Sequence, residues 1–184
     1  MRLEELHARW SLRRFVGLDD ATTENERVWA TGVVRGLDET LIAPLSGRAC
    51  VAYRSRVRTR LAMPRIVHET MQLRPFILDL GDEEIVVDGV DAIFGIAPIK
   101  LDQDPIRETS FLARHASSSA GGTARFDEVA LELGARVTVG GTLVLVPRDE
   151  PPTDELGFRD PPPPSQRIVG NRARPLVLAL ARHR

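Results

Sequence analysis

The sequence predicts a mainly β protein, built as a small β-barrel or sandwich, and three observations support this class. Segments in which apolar and polar residues alternate with period two recur at short spacing along the chain. Turns rich in glycine and proline separate these segments. Strands do not alternate with long amphipathic helices, which argues against a parallel α/β sheet. An OB-like barrel is one architecture within this class.

The chain begins with an N-terminal helical extension, residues 1–26, followed by a single β-rich domain over residues 27–184. Apolar residues at near-helical spacing predict an amphipathic helix over residues 2–15. They are Leu3, Leu6 and Trp10. From residue 27 the period changes to two, and residues 28–34 are rich in strand formers.

The clearest predicted strand runs from Ala49 to Leu61, where apolar residues alternate with arginines. Such alternation predicts one core-facing side and one basic side. A tight loop precedes it at residues 43–48. A partner strand is predicted over residues 66–80, with Pro75 restricting its centre to an edge or a bulge. A short strand follows at residues 85–87.

The second half of the chain is predicted to contain a short helix, a hairpin, a long loop and a closing strand. Their bounds are 107–115 for the helix, 135–139 and 142–146 for the hairpin strands, 148–166 for the exposed Pro-rich loop and 175–180 for the closing strand. Gly140-Gly141 suits the primed turn of a hairpin, since glycine adopts positive φ without steric penalty.

Composition excludes several function classes. A net charge of -1 and a pI near 6.4 give no general positive field for binding nucleic acid or anionic membranes. Cys50 is the only cysteine, so we expect no internal disulfide, no zinc site built on several thiolates and no cofactor. Neither a signal peptide nor a long apolar run is recognised, which predicts a soluble cytoplasmic protein without a membrane span.

The order of these segments resembles the GIDE-type domain, the partner-binding domain of membrane-anchored RING ubiquitin ligases and of bacterial relatives. The residues that carry the resemblance are Gly32, the loop 43–48 with residues 50–53 after it, residues 75–79, residues 128–131 and residues 134–141. The resemblance implies a substrate-binding or partner-binding module. Ligase activity does not follow, because one cysteine and scattered histidines cannot form a RING and no membrane helices are predicted.

Two side chains invite an enzymatic interpretation, and both have a simpler one. His68-Glu69 begins like HExxH but lacks the second histidine, and on a strand the two side chains point to opposite faces. Cys50 lies near Arg48, whose charge would lower a thiol pKa. A buried cysteine that behaves as a small apolar residue is the commoner case. No catalytic constellation or metal-ligand spacing is present, so we predict a non-enzymatic protein.

The most specific remaining feature is a row of arginines, here called the arginine stripe. Its members are Arg54, Arg56, Arg58 and Arg60. Period two places them on one face of a strand over roughly 20 Å. The stripe is a candidate docking edge for an acidic peptide, a phosphate or a nucleic-acid backbone. The alternative is a solvated face neutralised by acidic neighbours such as Glu69. Replacement of three of these arginines by Ser or Thr is predicted to leave the fold intact.

The sequence therefore favours an interaction module whose partner is a protein. The alternative is an OB-like binder of nucleic acid or another anion through the arginine stripe. Salt dependence separates the two, since an anion binder loses affinity steeply as salt rises. Partner identity and oligomeric state do not follow from the sequence.

Overall fold

The structure, a computed structural model, describes residues 3–37, 39–59, 65–101, 105–115, 124–146 and 165–181. These residues form two α-helices, α1 (Leu3–Leu12) and α2 (Pro105–His115), and a 3-10 turn at Leu18–Asp20. The strands are β1 (Val16–Gly17), β2 (Arg27–Gly36), β3 (Leu41–Ile42), β4 (Ala49–Cys50), β5 (Ala52–Thr59), β6 (Ile66–Leu73), β7 (Phe76–Asp79), β8 (Glu84–Gly89), β9 (Ala92–Gly95), β10 (Ala124–Leu131), β11 (Arg136–Val146), β12 (Ser165–Gly170) and β13 (Leu176–Leu180).

Five strands close into a barrel, which confirms the predicted mainly β class. The order is β2-β7-β8-β12-β11, and β11 pairs back onto β2 to complete the ring. Alternate residues of these strands point inward and exclude water, as the burial pattern of β8 and β7 shows. The largest fully buried side chains of the ring are Phe76, Leu78, Ile85 and Ile168. Burial of this apolar surface is the main force that stabilises the barrel.

The predicted hairpin at residues 135–146 is wrong, because β11 is one continuous strand. Gly140 and Gly141 pair with β2 on one side, at Trp29 and Val28. On the other side β11 changes its neighbour at this point from β13 to β12. A Cβ at Gly140 would overlap Phe15, and glycine therefore lets other elements approach the backbone closely.

A second sheet, β10-β5-β6, shares the buried core of the barrel through residues that include Val129, Leu131 and Met71. The predicted strand over 49–61 is interrupted at Val51, and residues 60–64 lie outside the described residues. The strand predicted over 66–80 is in fact two strands in different sheets, since β6 ends at Leu73 and β7 begins at Phe76. Pro75 explains the break, because it has no N–H for a sheet ladder.

Helix α1 packs on β9 and β13, where Ala8, Phe15 and Val177 form a small buried cluster. The helix predicted at the N-terminus is thus confirmed, although it ends at Leu12 rather than at residue 15. Within residues 1–26, β1 pairs with β2 of the barrel.

The predicted short helix is also confirmed as α2, and the closing strand as β13. The Pro-rich segment falls outside the described residues except at 165–166, which are not loop but the start of β12. Among the described residues, neither helix has the length and apolar character needed to cross a membrane.

Candidate functional site

The three described members of the arginine stripe lie on β5, the central strand of the second sheet, and are covered rather than open. Arg54 is 7% exposed and Arg56 is 8% exposed, while Arg58 is half-buried. Cross-strand pairing places Asp127 of β10 and Glu69 of β6 on either side of Arg56, on the same face of the sheet. The fourth member, Arg60, lies outside the described residues.

Three carboxylates neutralise the three described arginines. Arg54 Nη2 donates to Glu4 Oε2 over 2.7 Å, and Glu4 belongs to helix α1. Arg56 donates to Glu4 and also to Glu69. Arg58 Nε lies 2.8 Å from Asp127 Oδ2. We call this set the arginine network, and it links α1 to all three strands of the second sheet.

The protonation behaviour of the network follows from burial and charge together. Burial would raise the pKa of Glu4, but the hydrogen bond from Arg56 and the charges of Arg54 and Arg56 outweigh it, so that the pKa lies below its ordinary value of 4.5. Burial and the charge of Arg56 lower the pKa of Arg54. The central guanidinium carbon of Arg54 also lies 5.3 Å from the centroid of the Phe94 ring. Glu4 is therefore a carboxylate at neutral pH and forms ion pairs with Arg54 and Arg56.

The opposite face of β5 is organised around Glu128 of β10, a fully buried carboxylate. Leu45 N–H donates to Oε2 over 2.9 Å and Ser46 N–H donates to Oε1 over 2.8 Å. Ser55 Oγ donates to Oε2 over 2.6 Å. Gly47 closes the loop with a φ of 70°, as the predicted tight turn requires. Glu128 thus fixes the 43–48 loop onto the sheet by satisfying its backbone donors.

Cys50 lies beside this loop and is fully buried. Burial, with a further contribution from the negative charge of Glu128, raises the pKa of its thiol to about 12. Burial also raises the pKa of Tyr53, with smaller contributions from Cys50 and Glu128. A thiol with this pKa is protonated at neutral pH and is a poor nucleophile, because the thiolate is the reactive form.

We therefore expect Cys50 of the folded protein to resist alkylation at pH 8 and to react fully once the chain is unfolded in urea. The reason is that both access and thiolate formation require the buried site to open. Mass spectrometry after timed exposure to iodoacetamide measures the modified fraction. Rapid modification without denaturant, at a rate typical of a free thiol, would contradict this picture of the site.

His68 and Glu69 point to opposite faces of β6, as predicted. Glu69 belongs to the arginine network, whereas the His68 ring meets the Phe111 ring of α2 edge-on, with centroids 5.9 Å apart. Within the part of the chain that the structure describes, no group of three or more His, Cys, Asp or Glu residues could hold a metal ion. The two side chains of the incomplete HExxH motif thus lie in two different structural environments.

A cleft of about 640 Å³ opens between the 43–48 loop, helix α2 and the second sheet, and we call it the α2 cleft. Two of its apolar lining residues are strongly exposed, with Ile42 at 61% and Ile106 at 78%. Tyr53 and Gln72, which are cross-strand partners on β5 and β6, also line it. The polar residues contributed by α2 are Arg107, Ser110 and Arg114.

Sequence reasoning predicted the helix but not the cleft. The available signal was the spacing of Arg107, Ser110 and Arg114, which places three polar residues on one face of α2 while Phe111 is buried beside them. Their position opposite the 43–48 loop depends on contacts between segments far apart in the chain. The helix register alone could not reveal these contacts.

The cleft wall is held in place from both sides. A Cβ at Gly47 would overlap the Arg107 guanidinium, so the Arg107 side chain of α2 lies against the loop backbone there. Glu128 fixes the loop from below, and Phe111 anchors α2 in a buried cluster with Leu45 and Val57.

Comparisons of the chain with protein-family models, with curated proteins and with solved structures found no match.

Proposed function

We propose that this protein is a non-enzymatic interaction module that binds a segment of a partner protein in the α2 cleft. The observation that carries the proposal is the pair of exposed apolar side chains, Ile42 and Ile106, that line a cleft of about 640 Å³. Exposed apolar residues grouped in a concave site, with polar residues beside them, are typical of surfaces that bind other proteins. The internal pairing of Glu128 makes the site preorganised, which lowers the entropy lost on binding.

The resemblance to the GIDE-type domain supports the same proposal. Two of the segments that carry it, residues 43–48 and 128–131, are joined by the hydrogen bonds of Glu128 to Leu45 and Ser46. One of these segments lines the cleft at Ala43, Pro44 and Gly47. A partner-binding module of this kind needs no catalytic group, which agrees with the burial of the Cys50 thiol. A reduced buried thiol fits a cytoplasmic location, which we also propose.

The alternative of an anion binder acting through the arginine stripe has less support. Arg54 and Arg56 are buried, and each of the three described arginines lies against a carboxylate. A phosphate would have to displace those carboxylates before it could bind. Guanidinium groups already engaged in this way give little gain to a new anion.

Photo-cross-linking tests the proposal in the source organism. We expect p-benzoylphenylalanine at Ile106 to give a covalent adduct of one defined mass, because a partner seated in the cleft lies against that side chain. The matched control is Val90, an exposed apolar residue outside the cleft, which should give no such adduct. Replacement of Ile42 by Arg should remove the Ile106 adduct, since it places a charge in the apolar part of the cleft.

The proposal is wrong if neither position gives an adduct, or if Ile106 and Val90 give the same products. It is also wrong if the Ile42→Arg variant retains the Ile106 adduct at full yield, because the contact would then not involve the cleft. Circular dichroism of each variant should match that of the unmodified protein, which separates loss of binding from loss of fold.

A further inference from the structure

A separate pair of arginines lies on the outer surface of the barrel, away from the α2 cleft. Arg27 begins β2 and is half-buried, and its central guanidinium carbon lies 4.1 Å from the centroid of the Phe15 ring. Its neighbour Val28 is fully buried in the barrel core, so the period of two directs Arg27 outward. Arg174 is exposed and belongs to the turn between β12 and β13. Neither arginine lines the α2 cleft.

Strand pairing brings the two arginines to the same region of the barrel from distant parts of the chain. Thr142 of β11 pairs with Arg27 on one side and with Val169 of β12 on the other. The turn that carries Arg174 follows β12 directly. Asn171 fixes this turn, because its Oδ1 accepts hydrogen bonds from two backbone N–H groups, that of Arg174 among them over 2.8 Å. The position of Arg174 beside β12 is therefore set before any ligand arrives.

The two positive charges repel each other and are not neutralised by a carboxylate. Burial lowers the pKa of Arg27, and the charge of Arg174 lowers it further. Among the described residues, no aspartate or glutamate forms a salt bridge with either arginine. Glu26, which precedes Arg27 in the chain, instead accepts hydrogen bonds from Thr22 N–H and the Thr23 hydroxyl. This pair thus differs from the arginine network, in which every described arginine lies against a carboxylate.

Arg27 also has a donor without an acceptor. Its Nε is buried and has no hydrogen-bond partner among the described residues. The Phe15 ring attracts the cation but does not accept the N–H bonds that lie in the guanidinium plane. An oxyanion between the two guanidinium groups would accept these hydrogen bonds and would also remove the repulsion between the charges.

We propose that Arg27 and Arg174 form a binding site for a dianionic phosphate group on the outer surface of the barrel. Each guanidinium presents N–H donors in a planar fork that matches two phosphate oxygens, and the two positive charges balance a dianion. The Phe15 ring holds the Arg27 guanidinium in place, and the Asn171 turn holds Arg174, so little ordering is needed on binding. This site is additional to the α2 cleft and does not depend on the proposed function.

Thermal unfolding and calorimetric titration with inorganic phosphate test the site, at neutral pH and with ionic strength held constant by potassium chloride. Phosphate should raise the unfolding temperature of the natural protein, as a ligand that binds only the folded state does. In chloride alone, Arg174→Gln should unfold at the same or a higher temperature than the natural protein, because one of two like charges is removed. Its affinity for phosphate should be lower by about tenfold or more, since a hydrogen bond to a charged group contributes about that factor. The matched control is Arg125→Gln, at an exposed site on β10, which should bind phosphate as the natural protein does.

Phenyl phosphate in place of inorganic phosphate identifies the source of the group. Equal or tighter binding of this ester indicates a phosphate carried by a larger molecule, and loss of binding indicates free phosphate, so both results support the site. The proposal is overturned if phosphate does not bind the natural protein, if Arg174→Gln binds phosphate as tightly as the natural protein, or if Arg125→Gln loses affinity equally. Arg174 is exposed, so its variant should fold and give a result even if Arg27 variants do not.

Discussion

Replacement of Glu128 by alanine is expected to lower the free energy of unfolding by about 3 to 5 kcal/mol. The substitution removes the acceptor of Leu45 N–H, Ser46 N–H and Ser55 Oγ at once. A buried donor without an acceptor is destabilising by roughly 1 to 3 kcal/mol. Ser46 is only half-buried, so water can replace the lost acceptor of its N–H. The expected loss of unfolding free energy is therefore smaller than the sum for three fully buried donors. Urea unfolding followed by tryptophan fluorescence measures the change.

The matched control is Glu132→Ala, four residues further along the same chain segment. Glu132 accepts a hydrogen bond from Arg48 over 2.6 Å, but this pair is at the surface. Surface pairs contribute about 1 kcal/mol or less, because water and salt screen the charges. Glu128→Gln should fall between the two, since it retains one carbonyl acceptor. Equal destabilisation by Glu128→Ala and Glu132→Ala would show that the 43–48 loop is not fixed by the buried carboxylate.

Local periodicity predicted β5 well and its surroundings poorly. The alternation from Ala49 to Leu61 correctly placed Arg54, Arg56 and Arg58 on one face of a strand. It could not reveal that this face is covered, because the covering residue Glu4 lies about fifty positions upstream on α1. Of the acidic neighbours considered, Glu69 is a true partner of Arg56. Patterns within one strand report which residues share a face, not what lies against that face.

The glycine pair at 140–141 shows a second limit. Two consecutive glycines look the same in the sequence whether they form a primed turn or lie in a strand that other elements approach closely. Here neither glycine has positive φ, and β11 continues through both. Side chains from distant segments lie against the two glycines and explain why no side chain fits there. They are Leu12, Phe15, Ile168 and Leu176. The Glu128 contact shows the same limit. The 43–48 loop and residues 128–131 were both recognised in the sequence, but the hydrogen bonds that join them were not.

The triple variant Arg54→Ser/Arg56→Ser/Arg58→Ser is expected to lose about 3 to 5 kcal/mol of unfolding free energy, a large part of the stability of a typical domain. This reverses the expectation from sequence that the substitutions would leave the fold intact. Truncation removes buried aliphatic stems as well as charges. It also leaves Glu4, Glu69 and Asp127 without partners. Glu4 and Glu69 are 39% and 40% exposed, so water partly replaces the lost pairs.

A control of equal charge is Arg13→Ser/Arg125→Ser/Arg172→Ser, which alters three exposed arginines. Substitutions at such positions usually change stability by about 0.5 kcal/mol or less each. Urea unfolding of both variants at one salt concentration provides the comparison. If the two triple variants unfold at the same urea concentration, the arginine network is not a source of stability and the stripe is only a charged surface.

The pH dependence of Glu4→Gln tests whether the network acts through charge. The pKa of Glu4 in the folded protein is lowered, so the folded state favours the carboxylate more than the unfolded state does. Its contribution is therefore fully present above the ordinary pKa of 4.5 and is lost as pH falls through the lower, folded value. The stability gap between the natural protein and Glu4→Gln should be widest near neutral pH and should narrow below about pH 4. Glu24→Gln, at an exposed site, serves as the control. A gap that stays constant from neutral pH to acid would mean that Glu4 stabilises α1 by packing, and that the ion pairs with Arg54 and Arg56 contribute nothing.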